Sequence, residues 1–218
     1  LCHKHKTRIL FASTSEIYGK NPNTPWKENA DRVLGDPSVD RWSYSTSKAI
    51  VEHILFALYK QKKIDFSTVR FFNVYGPRQN PIYVVSQTIY RILRGEPPDI
   101  YDEGKSIRCF TYINDAIEGL ILAATRKEAL GNVFNLGSQI PTNMKNIVDL
   151  CIKISGKEIT VNEIETKKFY GQSYQDIFNR IPDSSKANNL LGWSAKIKPE
   201  EGIKRIYEWI KNNNWYIR

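Results

Sequence analysis

The sequence predicts an α/β fold, and three observations predict it. Short apolar runs of strand length alternate with longer stretches of helical periodicity. Turns rich in Gly, Pro, Asn and Asp separate them. No internal repeat or low-complexity tract breaks the alternation. In chain order, Arg8 to Ala12 reads as a buried strand opening into the polar Ser13-Thr14-Ser15-Glu16. Residues 19 to 41 read as a long loop, a length that more often serves function than not. From Tyr44 to about Lys62 the pattern is helical and apolar nearly all round, so this helix is expected to be covered on both sides. Asp65 to Phe72 is the next strand, closed by the Asn73-to-Arg78 turn. Beyond it come a helix at Tyr83–Leu93, a strand at Arg108–Tyr112, a helix at Asp115–Arg126 and a strand at Asn132–Leu136. Helices at Met144–Ser155, Asp183–Leu191 and Glu200–Lys211 complete the expected order.

Composition narrows the classes. A chain of 218 residues with 41% hydrophobic residues can bury a real core, and no apolar run approaches the length of a membrane span. The first residues, Leu1 to Lys6, lack the long apolar stretch of a signal peptide. Cys2, Cys109 and Cys151 are odd in number and never at CxxC spacing, which favours a reducing, cytoplasmic setting over a disulfide framework. The net charge of +9 is scattered along the chain and no nucleic-acid motif accompanies it, so solvated surface and attraction of anionic small molecules account for it. Neither nucleic acid nor membrane is expected as a partner. His3, His5 and His53 are too few and too badly spaced for a metal site.

One pair carries chemistry. Tyr44 and Lys48 lie one helical turn apart on one face, and an ammonium beside a phenol favours the phenolate that a general base needs near neutral pH. Spacing alone proves little, because Tyr59/Lys63, Tyr101/Lys105 and Tyr207/Lys211 repeat it. Tyr44 differs in its setting: it opens an apolar helix that follows a hydroxyl-rich strand end.

Phe11-Ala12-Ser13-Thr14-Ser15-Glu16-Ile17-Tyr18-Gly19, then Tyr44 and Lys48, then Arg70-Phe71-Phe72-Asn73-Val74-Tyr75-Gly76-Pro77-Arg78 resemble the extended short-chain dehydrogenase/reductases in order and spacing. Arg108 to Ala116, Asn135-Leu136-Gly137-Ser138, Leu191-Gly192-Trp193 and Glu201-Gly202-Ile203 continue the resemblance over nearly the whole chain. It implies NAD as cofactor and a nucleotide sugar as substrate. The fold it implies is the C-terminal part of a Rossmann-type parallel sheet, with a smaller mixed α/β substrate-binding region. Residues 1–78 would then belong to the NAD-binding domain, and 79–218 mainly to the nucleotide-sugar region, with some segments returning to the sheet. Tyr44 would be the acid/base. Lys48 would favour its phenolate and hold the nicotinamide ribose. Thr14 or Ser15 would hold the sugar's 4-hydroxyl, and Ala12, Ser13 and Phe71 would sit against the cofactor. Asn73, Arg78 and Arg108 would bind substrate, Arg108 through phosphate oxygens that a guanidinium matches. The family also implies a homodimer formed through the Tyr44–Lys62 helix.

Within the superfamily the chain most resembles the UDP-glucuronate decarboxylases. Ser15-Glu16, the long loop ending in Arg41-Trp42, and Phe169-Tyr170-Gly171 with Tyr174-Gln175-Asp176 and Arg180 carry that likeness. It implies oxidation at C4 followed by loss of CO2, with Glu16 and Arg180 flanking the reacting carbon and Tyr174 touching substrate. Three other readings stay open: a GDP-mannose 4,6-dehydratase type, a 4-epimerase of the UDP-glucose type, and a non-catalytic nucleotide-sugar-binding or assembly module. No three glycines stand at the GxGxxG or GxxGxxG spacing that cradles a dinucleotide pyrophosphate. The expectation is therefore a fragment that is inactive and binds NAD poorly by itself.

Overall fold

A computed structural model of the chain describes residues 1–166, 168 and 175–217. After a short helix α1 (Cys2–His5), the chain lays down the first of three parallel strands, β1 (Ile9–Thr14), β2 (Phe66–Phe71) and β7 (Asn132–Leu136), in the order β1-β2-β7. Ile9 stands opposite Phe66, and Ser67 opposite Asn132. Parallel neighbours need long crossovers. Helix α2 (Arg41–Lys60) supplies the first, and α4 (Ile113–Thr125) lies in the second. Strand alternation then sorts the side chains. Ile9, Phe11 and Phe66 pack with Leu55 of α2 on one face. Leu10, Val69, Phe71, Phe134 and Leu136 pack with Ala123 of α4, Leu191 of α6 (Ser185–Leu191) and Trp193 on the other. Burying each of the large side chains stabilises the fold by about 1.5–3 kcal/mol.

A second region gathers around α3 (Val84–Arg94), α5 (Met144–Ser155) and α7 (Pro199–Lys211), whose apolar stripes meet at Ile89, Ile92, Ile147, Cys151, Ile206 and Ile210. The ends of these helices follow local chemistry. The Asn143 side chain accepts the Asn146 N–H at 2.7 Å to cap α5. Pro199 opens α7, with Glu200 and Glu201 in its first turn.

Two expectations change. The strand read as Arg108–Tyr112 is two, β5 (Ile107–Cys109) and β6 (Thr111–Tyr112), in different sheets. β5 lies between β10 (Asn179–Arg180) and β8 (Pro141–Asn143), whereas β6 pairs with β3 (Val74–Tyr75). Thr111 forces the break: its hydroxyl donates to the Phe72 carbonyl at 3.0 Å and accepts the Ser138 N–H at 2.9 Å, tying it to the ends of β2 and β7. The helix read from Tyr44 starts at Arg41, and this chain covers one side of it only. Trp42, Ser45, Ala49, Glu52 and Leu55 form a single buried stripe, while Ile50 and Ile54 are each about half exposed. No helix among the described residues is long and apolar enough to cross a membrane.

Candidate functional site

A cleft opens at the carboxyl ends of β1 and β2, where parallel α/β sheets present their loops to ligands. One chamber, of about 740 Å³, is lined by Thr14, Ser15, Glu16, Tyr44 and Phe71. A second, of about 380 Å³, is lined by Tyr101, Asp102, Ser106, Arg108 and Asp176. Arg41, Asn73 and Arg180 belong to both and form the waist between them, with Ile82 and Tyr83 as an apolar lip.

The floor of the first chamber is a 3₁₀ turn, Ser15–Tyr18, that directly follows β1. The Thr14 hydroxyl accepts the Glu16 N–H at 3.2 Å and starts the turn. Gly19 ends it at φ 60°, where any Cβ would collide with the Val33 carbonyl. Below the floor, Arg70 of β2 fixes the arrangement. Its guanidinium meets both oxygens of Glu52 on α2 at 3.1 and 2.6 Å, and donates to the Tyr18 hydroxyl at 2.7 Å and the Glu28 carbonyl at 2.9 Å. Tyr18 in turn donates to Asn135 of β7 at 2.7 Å, and burial pushes its phenol up to about 12. The elements that carry Glu16 and Tyr44 are thereby locked to the sheet.

Charge is concentrated at the waist. Arg41 grips Glu16 with two nitrogens at 3.0 and 2.9 Å, and Arg180 reaches the same carboxylate at 2.6 Å. Arg41 also donates to Asp176 at 3.1 Å, and Arg108 meets both Asp176 oxygens at 3.2 and 3.0 Å. Three guanidiniums therefore face two carboxylates. Burial works to raise Glu16, but Arg180 and Arg41 outweigh it and hold the acid below the ordinary carboxylate range. Burial, helped by Arg108 and Arg41 and opposed by Glu16, pulls Arg180 down to about 10. The Arg180 Nε and the Asn73 Oδ1 are buried and have no hydrogen-bonding partner among the described residues. Such atoms need an explanation, and a ligand in the waist would supply one.

Tyr44 is half exposed on the chamber wall. The Lys48 Nζ lies 5.9 Å from its ring centroid and 5.0 Å from that of Phe11, and donates to the Ala12 carbonyl at 2.9 Å. Ser13 is buried beside them, its hydroxyl without a partner among the described residues. A cationic donor, a phenol and the aromatic Phe71 fit the nicotinamide-ribose end of a dinucleotide.

The other tyrosines with a lysine four residues on stand elsewhere. Tyr59 packs edge-on to Phe66, Tyr207 is buried among the α3, α5 and α7 side chains, and Tyr101 lines the second chamber. The structure brings Thr14, Ser15, Glu16, Tyr44, Phe71, Asn73 and Arg180 around one chamber and sets Arg108 in the next. It does not bring Arg78 to either: that residue is exposed, at φ 66° in the turn after β3. Tyr174 lies outside the described residues. Arg41 and Asp176 appeared only within motifs and were not singled out as site residues. Arg41 was legible, because Arg41, Tyr44 and Lys48 sit at i, i+3 and i+7 on one helix face. Asp176 had no comparable signal.

The profile of the GDP-mannose 4,6 dehydratase family matches residues 1–206. A UDP-N-acetyl-α-D-glucosaminuronate decarboxylase of Bacillus cytotoxicus is 31% identical over 211 residues, which cover 95% of this chain and 65% of that protein. The bifunctional polymyxin resistance protein ArnA of Wigglesworthia glossinidia brevipalpis is 32% identical over 237 residues, covering 98% of this chain and 36% of that protein. Among solved structures, UDP-glucuronic acid 4-epimerase from Bacillus cereus, in complex with UDP-glucuronic acid and NAD, superposes with a TM-score of 0.84 at 29% identity, covering 97% of this chain and 64% of that one. The chain spans less than two thirds of the length of each of these relatives. With motifs, fold and profile in agreement, the chain belongs to the NAD-dependent epimerase/dehydratase family of the extended short-chain dehydrogenase/reductases.

Proposed function

We propose that this chain carries the acid–base and substrate-binding part of an NAD-dependent nucleotide-sugar enzyme whose reaction is the decarboxylation of UDP-glucuronate. The observation that carries the reading is Glu16 held by Arg41 and Arg180 beside Tyr44, in a waist with more positive than negative groups. In this reading the sugar fills the first chamber, the diphosphate crosses the waist towards Arg108, and the nucleoside enters the second chamber.

When bound, NAD supplies the hydride acceptor for oxidation at C4; Tyr44, Lys48, Phe71 and the strand end at Ala12 and Ser13 would hold its nicotinamide-ribose end. Tyr44 takes the proton of the 4-hydroxyl, which a hydroxyl of Thr14 or Ser15 orients. The resulting ketone is β to the C6 carboxylate. The bond between C5 and C6 then breaks, its electron pair enters the ketone to form an enolate, and CO2 leaves. In this reading Arg180 orients the carboxylate, and its lowered affinity for its proton suits it to return one to C5. Glu16 remains ionised at neutral pH, which suits an electrostatic role and disfavours dehydration, where an acid must protonate the departing hydroxyl. Epimerisation leaves the carbon skeleton intact, and a 4-epimerase acting on UDP-glucuronate would hold the same carboxylate, so product analysis separates the two reactions.

The test is product analysis with the full-length protein, NAD, and UDP-glucuronate, UDP-glucose or GDP-mannose in parallel. Release of CO2 from UDP-glucuronate is the expected result. An unchanged mass with inverted C4 would make the protein an epimerase, and loss of water from GDP-mannose a dehydratase.

A further inference from the structure

We propose that Asp176 is a specificity residue of this cleft: its carboxylate occupies the anion position on Arg108 and Arg41, and a ligand enters by replacing it there. The inference rests on the reading that Arg108 meets the substrate's diphosphate, and goes beyond it by assigning the group that holds that place beforehand.

The geometry shows which partner is fixed and which can move. Arg108 is tied down: one terminal nitrogen donates to the Ile107 and Phe178 carbonyls at 2.9 Å each, and its side chain is 7% exposed. Its other terminal nitrogen is spent on the two Asp176 oxygens. Asp176 also accepts from Arg41 and from the Ser106 hydroxyl, each at 3.1 Å. Two guanidiniums and a hydroxyl around two oxygens are the donor set that recognises a phosphoryl group. The Asp176 side chain is 33% exposed and borders the second chamber, so it can turn to water while Arg108 cannot. Glu16, at 15% exposure and gripped by two Arg41 nitrogens, is by contrast built in.

Charge balance points the same way. With Asp176 in place, three guanidiniums face two carboxylates. Turning it out removes one negative charge from beside Arg108 and Arg41, which favours an anion such as a diphosphate diester in its place. A ligand that needs these arginines is weakened by the fraction of molecules in which Asp176 still holds them. Only a multiply charged anion shifts that balance.

The test measures Kd of the full-length protein for UDP, inorganic pyrophosphate and uridine by calorimetry. Asp176→Asn keeps the shape and removes the charge. It should tighten UDP and pyrophosphate by about tenfold and leave uridine unchanged. Weaker or unchanged UDP binding by Asp176→Asn overturns the proposal, since a carboxylate that merely props up Arg108 would be missed. So does an absence of UDP binding by both the unmodified full-length protein and its Asp176→Asn variant. Arg108→Met tests the underlying reading separately: if UDP binds it as it binds the unmodified chain, the diphosphate does not lie on Arg108.

Discussion

Arg70 and Arg108 both project from buried strands and both meet a carboxylate through two short bonds, yet their surroundings are opposite. Around Arg70, one guanidinium faces one carboxylate of Glu52, and the nitrogen left over is taken by Tyr18 and the Glu28 carbonyl. Around Arg108, three guanidiniums share two carboxylates, an Arg180 nitrogen has no partner among the described residues, and the group borders a cavity. The first network offers a ligand nothing and binds α2, β2 and the Ser15–Tyr18 turn together. Among the described residues the second holds more positive than negative groups. A buried arginine–carboxylate pair therefore does not by itself mark a site; an imbalance that faces open volume does.

The largest expected effect lies in the balanced network. Arg70→Met strands Glu52 and leaves two further acceptors unmet, and should lower unfolding stability by about 3–5 kcal/mol in urea. Adding Glu52→Leu removes the stranded charge, so the double variant should lose much less than the sum of the single variants. A single variant within about 1 kcal/mol of the parent chain would erase the distinction between the networks.

A smaller effect separates them by pH. Glu16 and Asp176 are held below the ordinary carboxylate range, despite burial, by the surrounding arginines. A depressed carboxylate contributes stability that is complete above its unfolded pKa and is lost as pH falls through its folded value. Melting temperatures should therefore hold steady from neutrality to about pH 4.5 and fall below it. The Glu16→Gln/Asp176→Asn variant should lose about 1 kcal/mol of that dependence, a modest figure because Asp176 is partly exposed. An unchanged acid limb would mean that these arginines do not stabilise the two carboxylates.

The fold was largely legible because it rests on period. Asn132–Leu136 and Met144–Ser155 fall where the sequence placed them, since strand and helix there are bounded by clear turn chemistry. The split of Arg108–Tyr112 was not legible, because it depends on bonds from Thr111 to Phe72 and Ser138, far away in sequence. In the site, Tyr44, Lys48 and Glu16 could be read from ordered motifs, and the Arg41 stripe could have been. The part played by Asp176 could not, since it depends on a strand pairing between β10 and β5 that brings residue 176 to Arg108. The open face of α2 accords with a periodicity apolar on more sides than one chain covers: the pattern shows which residues avoid water, and not what covers them.

The central claim is that the charged waist selects an acidic sugar, and the most direct measurement compares UDP-glucuronate with UDP-glucose. The two ligands share nucleotide and diphosphate and differ only at C6. Calorimetry should show UDP-glucuronate binding at least about tenfold tighter, with the difference lost in Arg180→Met, the variant that removes the unpartnered donor. Equal affinities for the two sugars, or a preference that survives Arg180→Met, would contradict the account.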